Sequence, residues 1–193
     1  MRRITKAALG GLAGCALVLG ASQAANGDSG ADITYPLQNA ETGDFWIDPG
    51  PFDDAKGTLR VIQSLDDDAT GFKLTVEGIK EAAGKEFGAH LHTGPCVDGD
   101  YAAPTKIAGS LAGPHYNNGV APTLEEAEVW FDLVPNDHGV ASDDTKKYFV
   151  PTDSDLLPGE MSIVIHVNPT NPVNGGAGDR QACFSLLVPD WAP

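Results

Sequence analysis

His90-Leu91-His92 is the segment whose residue types and spacing most directly suggest chemistry. On a strand, alternate side chains share a face, so both imidazoles would project to one side while Leu91 turned to the other. Two nitrogen donors on one rigid edge make half of a metal site. The other half is available in His115, within Gly113-Pro114-His115-Tyr116, and His166, which closes the apolar run Met161-Ser162-Ile163-Val164-Ile165-His166. The fifth histidine, His138 in Asn136-Asp137-His138-Gly139, reads as a loop residue.

The elements that must position these rings are short and strand-like. Gly57 to Gln63 and Phe72 to Gly78 both alternate and flank the turn signal Asp66-Asp67-Asp68-Ala69-Thr70-Gly71, the pattern of a hairpin. Further strands are expected over Phe87 to Thr93, Glu128 to Val134, Val140 to Ala141 with a weak continuation toward Tyr148, Met161 to Val167, and Ala182 to Val188. No helix of ordinary length stands out by periodicity, so the class is all-β, a sandwich or Greek-key barrel. Two long connections, Gly94 to Glu126 and Asn168 to Arg180, interrupt the strands. Loops of that length in a compact domain are usually functional, and these two flank the histidines.

With 193 residues, 23 Gly and 14 Pro, the chain fits one turn-rich domain. Arg2, Arg3 and Lys6 precede an apolar run from Ala7 to Gly20 that ends in Ser22-Gln23-Ala24-Ala25, the layout of a secretory signal peptide over residues 1–24. The run is too short and too rich in Gly and Ala for a stable transmembrane span. A second reading takes Leu12-Ala13-Gly14-Cys15 as a lipoprotein box with Cys15 acylated, although the residues after Cys15 stay apolar where a tether would be polar. Small and polar residues over 25–33 suggest a flexible segment, followed by a single domain over 34–193. The leader carries three cations and no acids, so its removal takes the net charge from −15 to −18. That excess argues against nucleic-acid binding through a basic patch, and any attraction for an anion must be local. Loss of Cys15 leaves Cys96 and Cys183, which an exported chain most often joins.

Gly88-Ala89-His90-Leu91-His92, Gly113-Pro114-His115-Tyr116-Asn117, Val164-Ile165-His166 and Gly178-Asp179-Arg180-Gln181-Ala182-Cys183 occur in the order found in copper-zinc superoxide dismutases, and the chain resembles the secreted bacterial members of that family. The resemblance implies an eight-stranded Greek-key β-barrel with two long functional loops. It also implies copper held by His90, His92, His115 and His166, a Cys96–Cys183 disulfide, and Arg180 as the anion-guiding arginine over the metal. The chemistry of the residues agrees, since imidazole suits copper in both oxidation states and four tetragonal nitrogens favour Cu(II). A closed four-histidine zinc site is the alternative, without redox chemistry.

The departures from the family's pattern are as informative. The zinc-binding members use the third copper histidine as a bridge and add two histidines and an aspartate. Here no histidine lies between His115 and Asp132, and Val129 stands where the nearer zinc histidine would be. Asp132-Leu133 matches the zinc aspartate position. A copper-only variant is therefore expected, with Asp132 first, and Glu128 second, accepting a hydrogen bond from the far nitrogen of His115 in place of zinc. The reaction implied is disproportionation of superoxide to dioxygen and hydrogen peroxide outside the cytoplasm, with His115 carrying a proton and Arg180 docking the anion. A non-catalytic copper-buffering protein of the cell envelope on the same scaffold is the alternative. The sequence is compatible with a monomer or a homodimer, and Trp130, Phe131 and Tyr148 are expected to pack in or on the barrel.

Overall fold

The computed structural model describes residues 29–39, 51–64, 68–96, 110–149 and 159–189. Within them, eight strands pair antiparallel: β1 (Ser29–Asn39), β2 (Lys56–Ser64), β3 (Ala69–Glu77), β4 (Phe87–His92), β5 (Trp130–Leu133), β6 (Val140–Lys147), β7 (Ser162–His166) and β8 (Arg180–Leu186). Their order in the sheet is β5-β4-β7-β8-β1-β2-β3-β6. The two edge strands lie against each other, and the Asp132 backbone N–H on β5 donates to Asp143 Oδ2 on β6 at 2.8 Å, so the barrel is nearly closed. Among the described residues, helix is confined to two single 3₁₀ turns and α1 (Leu124–Ala127).

Alternation builds the core. Leu59 and Val61 from β2, Phe72, Leu74 and Val76 from β3, Leu91 from β4, Phe131 and Leu133 from β5, Ile163 and Ile165 from β7, and Phe184 and Leu186 from β8 are all buried in one cluster. The barrel is therefore filled with branched and aromatic side chains, which leaves the opposite faces of β4, β5 and β7 free to carry polar groups.

The pattern-based strands are all present, with two differences. The flexible segment expected over 25–33 gives its last residues to β1, where Asp32 pairs with Ile62 and Ile33 with Val61. Ile33, Tyr35 and Leu37 alternate, with Tyr35 and Leu37 buried. β6 runs on to Lys147 because its whole length pairs with β3, from Val140 opposite Glu77 to Lys147 opposite Thr70. Residues 1–24, with Cys15, lie outside the described residues.

Cys96 and Cys183 are joined across a sequence separation of 87, with Cα atoms 5.7 Å apart. The bridge pins the start of the first long loop to β8, where Cys183 packs with Ala112 and Val164.

Candidate metal centre

β4 carries His90 and His92 side by side, with Leu91 turned into the core and both rings fully buried. The neighbouring strands hold β4 in place: His90 lies opposite Trp130 on β5 and Val164 on β7, and His92 opposite Ser162. His115 arrives from the first long loop. It forms an isolated bridge with His92, flanked by Tyr116 N–H to Leu91 O at 2.7 Å and Thr93 N–H to Pro114 O at 3.1 Å. His166 ends β7 at an irregularity in register, where it lies opposite Arg180. One ring nitrogen from each of these four histidines lies within 4.8 Å of the others. His138 is not part of the group; its backbone N–H donates to Asn136 Oδ1 in an exposed turn.

The other ring nitrogens are already engaged. Carbonyl oxygens only accept, so the contacts of His92 Nδ1 with Gly113 O and of His166 Nδ1 with Gly178 O, each 3.0 Å, place the proton on Nδ1 and leave Nε2 as a lone pair. His92 Nε2 and His166 Nε2 are buried with no hydrogen-bond partner among the described residues. A buried polar atom left unpaired costs about 1–3 kcal/mol, and two of them within a four-nitrogen group form a donor set that a transition-metal ion would satisfy. Gly113 and Gly178, both with left-handed backbone at φ near +73° and +79°, present the two carbonyls.

Burial keeps these rings neutral, as ligands must be. Desolvation is the largest cause in each case, and it pushes His90 down to about 2, His92 to about 3 and His166 to about 4. Neighbouring rings deepen the effect at His90, whereas the Gly113 and Gly178 carbonyls oppose it at His92 and His166.

The far nitrogen of His115 is held by a carboxylate, and the residue is Glu128. Glu128 Oε2 accepts from His115 Nδ1 at 2.6 Å and from Trp130 Nε1 at 2.7 Å, in side-chain surroundings only 10% exposed. Asp132, expected first for this role, instead accepts from the Thr170 backbone N–H at 2.7 Å and lies opposite Gly88. The reason is reach: four residues of extended chain separate Asp132 from Glu128, about 13 Å, and Glu128 is the one that bridges to Asn117 beside His115. Local structure fixes Glu128. Thr123 caps α1, its Oγ1 accepting from the Glu126 backbone N–H and its hydroxyl donating to Glu126 Oε2, and Glu128 ends the helix with its N–H on Leu124 O. Lys147, buried beneath, donates to Glu125 O.

Two further contacts escaped the sequence reading. Thr170 Oγ1 lies 3.0 Å from His90 Nε2, and Trp130 uses its indole N–H as the second donor to Glu128. A period-2 pattern over Glu128, Trp130 and Asp132 was the available signal for the latter. Arg180 Nη2 donates to Gly113 O at 2.6 Å, the same carbonyl that faces His92, so the guanidinium is anchored beside the histidine group.

No protein-family model and no curated protein matches this chain. Solved structures do match. The Cu/Zn superoxide dismutase from Brucella abortus superposes with a TM-score of 0.55 at 18% identity, covering 82% of this chain and 100% of that one. The chain has the copper-zinc superoxide dismutase fold. On that copper-zinc superoxide dismutase scaffold, this chain carries a four-histidine group that could hold a metal ion, a disulfide, and no described helix long and apolar enough to cross a membrane.

Proposed function

We propose that this protein is a copper-dependent superoxide dismutase acting outside the cytoplasm, with His90, His92, His115 and His166 as the copper ligands. The observation that carries the reading is the convergence of four imidazoles, two of them with buried Nε2 atoms unpartnered among the described residues, on a scaffold shared with a Cu/Zn superoxide dismutase. Copper bound there would supply one-electron chemistry, so that two superoxide anions and two protons give dioxygen and hydrogen peroxide.

The chain's own residues do the rest. Arg180 offers a fixed positive charge, tied at Gly113 O, on which superoxide docks by charge-assisted hydrogen bonding. The loop from Asn168 to Asp179 has no lysine and only Asp179 as a charge, so attraction is local rather than long-range. His115 is the most exposed of the four, its side chain 22% exposed, and it is the group that carries a proton to the reacting anion. Glu128 orients His115 through Nδ1, at the nitrogen that zinc holds in the zinc-binding members, and its position supports a copper-only centre.

Arg180 beside the histidines favours the enzyme over a copper buffer, which has no use for an anion-docking cation. Stopped-flow superoxide decay tests this: copper-loaded protein should accelerate decay while the metal-free and zinc-loaded forms do not. Equal decay with and without copper would overturn the enzymatic reading. Metal analysis after loading with both ions should find copper alone, and a stoichiometric retained zinc ion would overturn the copper-only one.

A further inference from the structure

Three of the four clustered rings have an obvious partner for the nitrogen that faces away from the cluster: a carbonyl for His92 and for His166, and a carboxylate for His115. His90 is the exception. Its ring is reversed relative to theirs, with Nδ1 toward His115 Nε2 at 3.0 Å and Nε2 against the hydroxyl of Thr170, also at 3.0 Å. The ring is fully buried, and Thr170 Oγ1 is the partner that its Nε2 meets.

We infer that Thr170 is the positioning residue for His90: its hydroxyl oxygen accepts a hydrogen bond from Nε2–H in the tautomer that leaves Nδ1 as the donor to the metal. This rests on the reading of His90 as a ligand. A hydroxyl differs from a carbonyl or carboxylate in that it can both donate and accept. It therefore pairs with His90 Nε2 in either tautomer, donating before metal arrives and accepting once Nδ1 has given up its proton, so neither state leaves a buried nitrogen unpaired.

Thr170 is built into place. Its backbone N–H is held by Asp132 Oδ1 at 2.7 Å, which gives the aspartate at the zinc-ligand position a different task. The loop around it is fastened to β4 by Gly88 N–H to Asn168 O at 2.7 Å, and to its own return by Asn168 N–H to Ala177 O at 3.0 Å. Residue 88 has to be glycine for this contact, because a Cβ there would stand 2.7 Å from Thr170 Oγ1 and 2.8 Å from the Ala177 Cβ. The strand opposite the loop is thus cut away where the hydroxyl sits.

The test uses the full chain and its Thr170→Val and Thr170→Ser variants. Copper affinity is measured by chelator competition, the Cu(II) electron paramagnetic resonance spectrum is recorded, and folding is checked by circular dichroism. T170V keeps the shape but loses the hydroxyl, and is expected to bind copper about tenfold more weakly or worse, with altered copper hyperfine coupling. T170S restores both affinity and spectrum. Wild-type affinity and spectrum in T170V would overturn the inference, as would a T170S variant as impaired as T170V while folded. If T170V fails to fold, the comparison of T170S with wild type, together with Asp132→Ala, decides: affinity must fall in D132A as the loop loses its anchor and stay unchanged in T170S. Failure of the wild-type chain to bind copper at all would instead overturn the ligand assignment, a separate result.

Discussion

Replacing Glu128 with glutamine isolates what the carboxylate contributes to the centre. Oε2 receives both N–H groups, from His115 at 2.6 Å and Trp130 at 2.7 Å, so a carboxamide oxygen in the same place keeps both hydrogen bonds and removes only the charge. A charge-assisted hydrogen bond is roughly twice as strong as a neutral one, so the loss at His115 is about 1–2 kcal/mol. At about 1.4 kcal/mol per tenfold, that corresponds to a copper affinity roughly five- to thirtyfold weaker. Glu128→Ala goes further, because Trp130 is only 8% exposed and its indole N–H is left without an acceptor, costing about 1–3 kcal/mol of folding stability. Chelator competition reads the affinity and thermal unfolding reads the stability. The expected pattern is weakened copper binding in both variants and a melting temperature lowered more in E128A than in E128Q. Wild-type copper affinity in a folded E128Q would refute the orienting role of the carboxylate.

Other consequences follow from the same geometry. Arg180→Glu should leave copper bound but slow superoxide turnover by about ten- to a thousandfold, the range expected for local electrostatic guidance; steady-state decay rates at equal copper content check it, and unchanged turnover removes Arg180 from the mechanism. Breaking the Cys96–Cys183 bridge opens a loop of sequence separation 87 and should cost about 4–5 kcal/mol in the chain-entropy picture; denaturant midpoints of C96S/C183S against wild type measure this. The metal-free protein should lose stability as pH falls below about 6.5. There the unfolded chain takes up protons that native His166, His92 and His90 refuse until about 4, 3 and 2, each costing up to tenfold in the folding equilibrium per pH unit. Denaturant titrations of metal-free protein from pH 7.5 to roughly pH 4 follow this slope, and a flat profile would contradict the burial of the rings as neutral groups.

Much of the fold was legible because its signals are local. Period-2 alternation marks β2 and β3, an apolar run marks β7, and the two-residue period of a strand puts His90 and His92 on one face of β4. β1 was hidden by its polar neighbours and by Pro36 between the alternating Tyr35 and Leu37, since proline demotes a strand pattern. The histidine group was legible as a set because each member sits in a distinctive local context. The surrounding partners were not, because they arise from meetings across the sheet: Thr170 reaches His90 over a sequence separation of 80, and Glu128 reaches His115 only because α1 and the bridge to Asn117 carry it there. The choice between Glu128 and Asp132 turned on how far along one extended segment each lies, which composition and motif do not encode.

The most direct measurement is electron paramagnetic resonance of the protein loaded with one equivalent of Cu(II), alongside alanine variants at positions 90, 92, 115 and 166. A single cupric centre with imidazole nitrogen coupling, changed by each of the four substitutions, is the predicted result. A spectrum dominated by oxygen ligands, or one that any of these substitutions leaves untouched, would contradict the assignment of the four histidines to one copper ion.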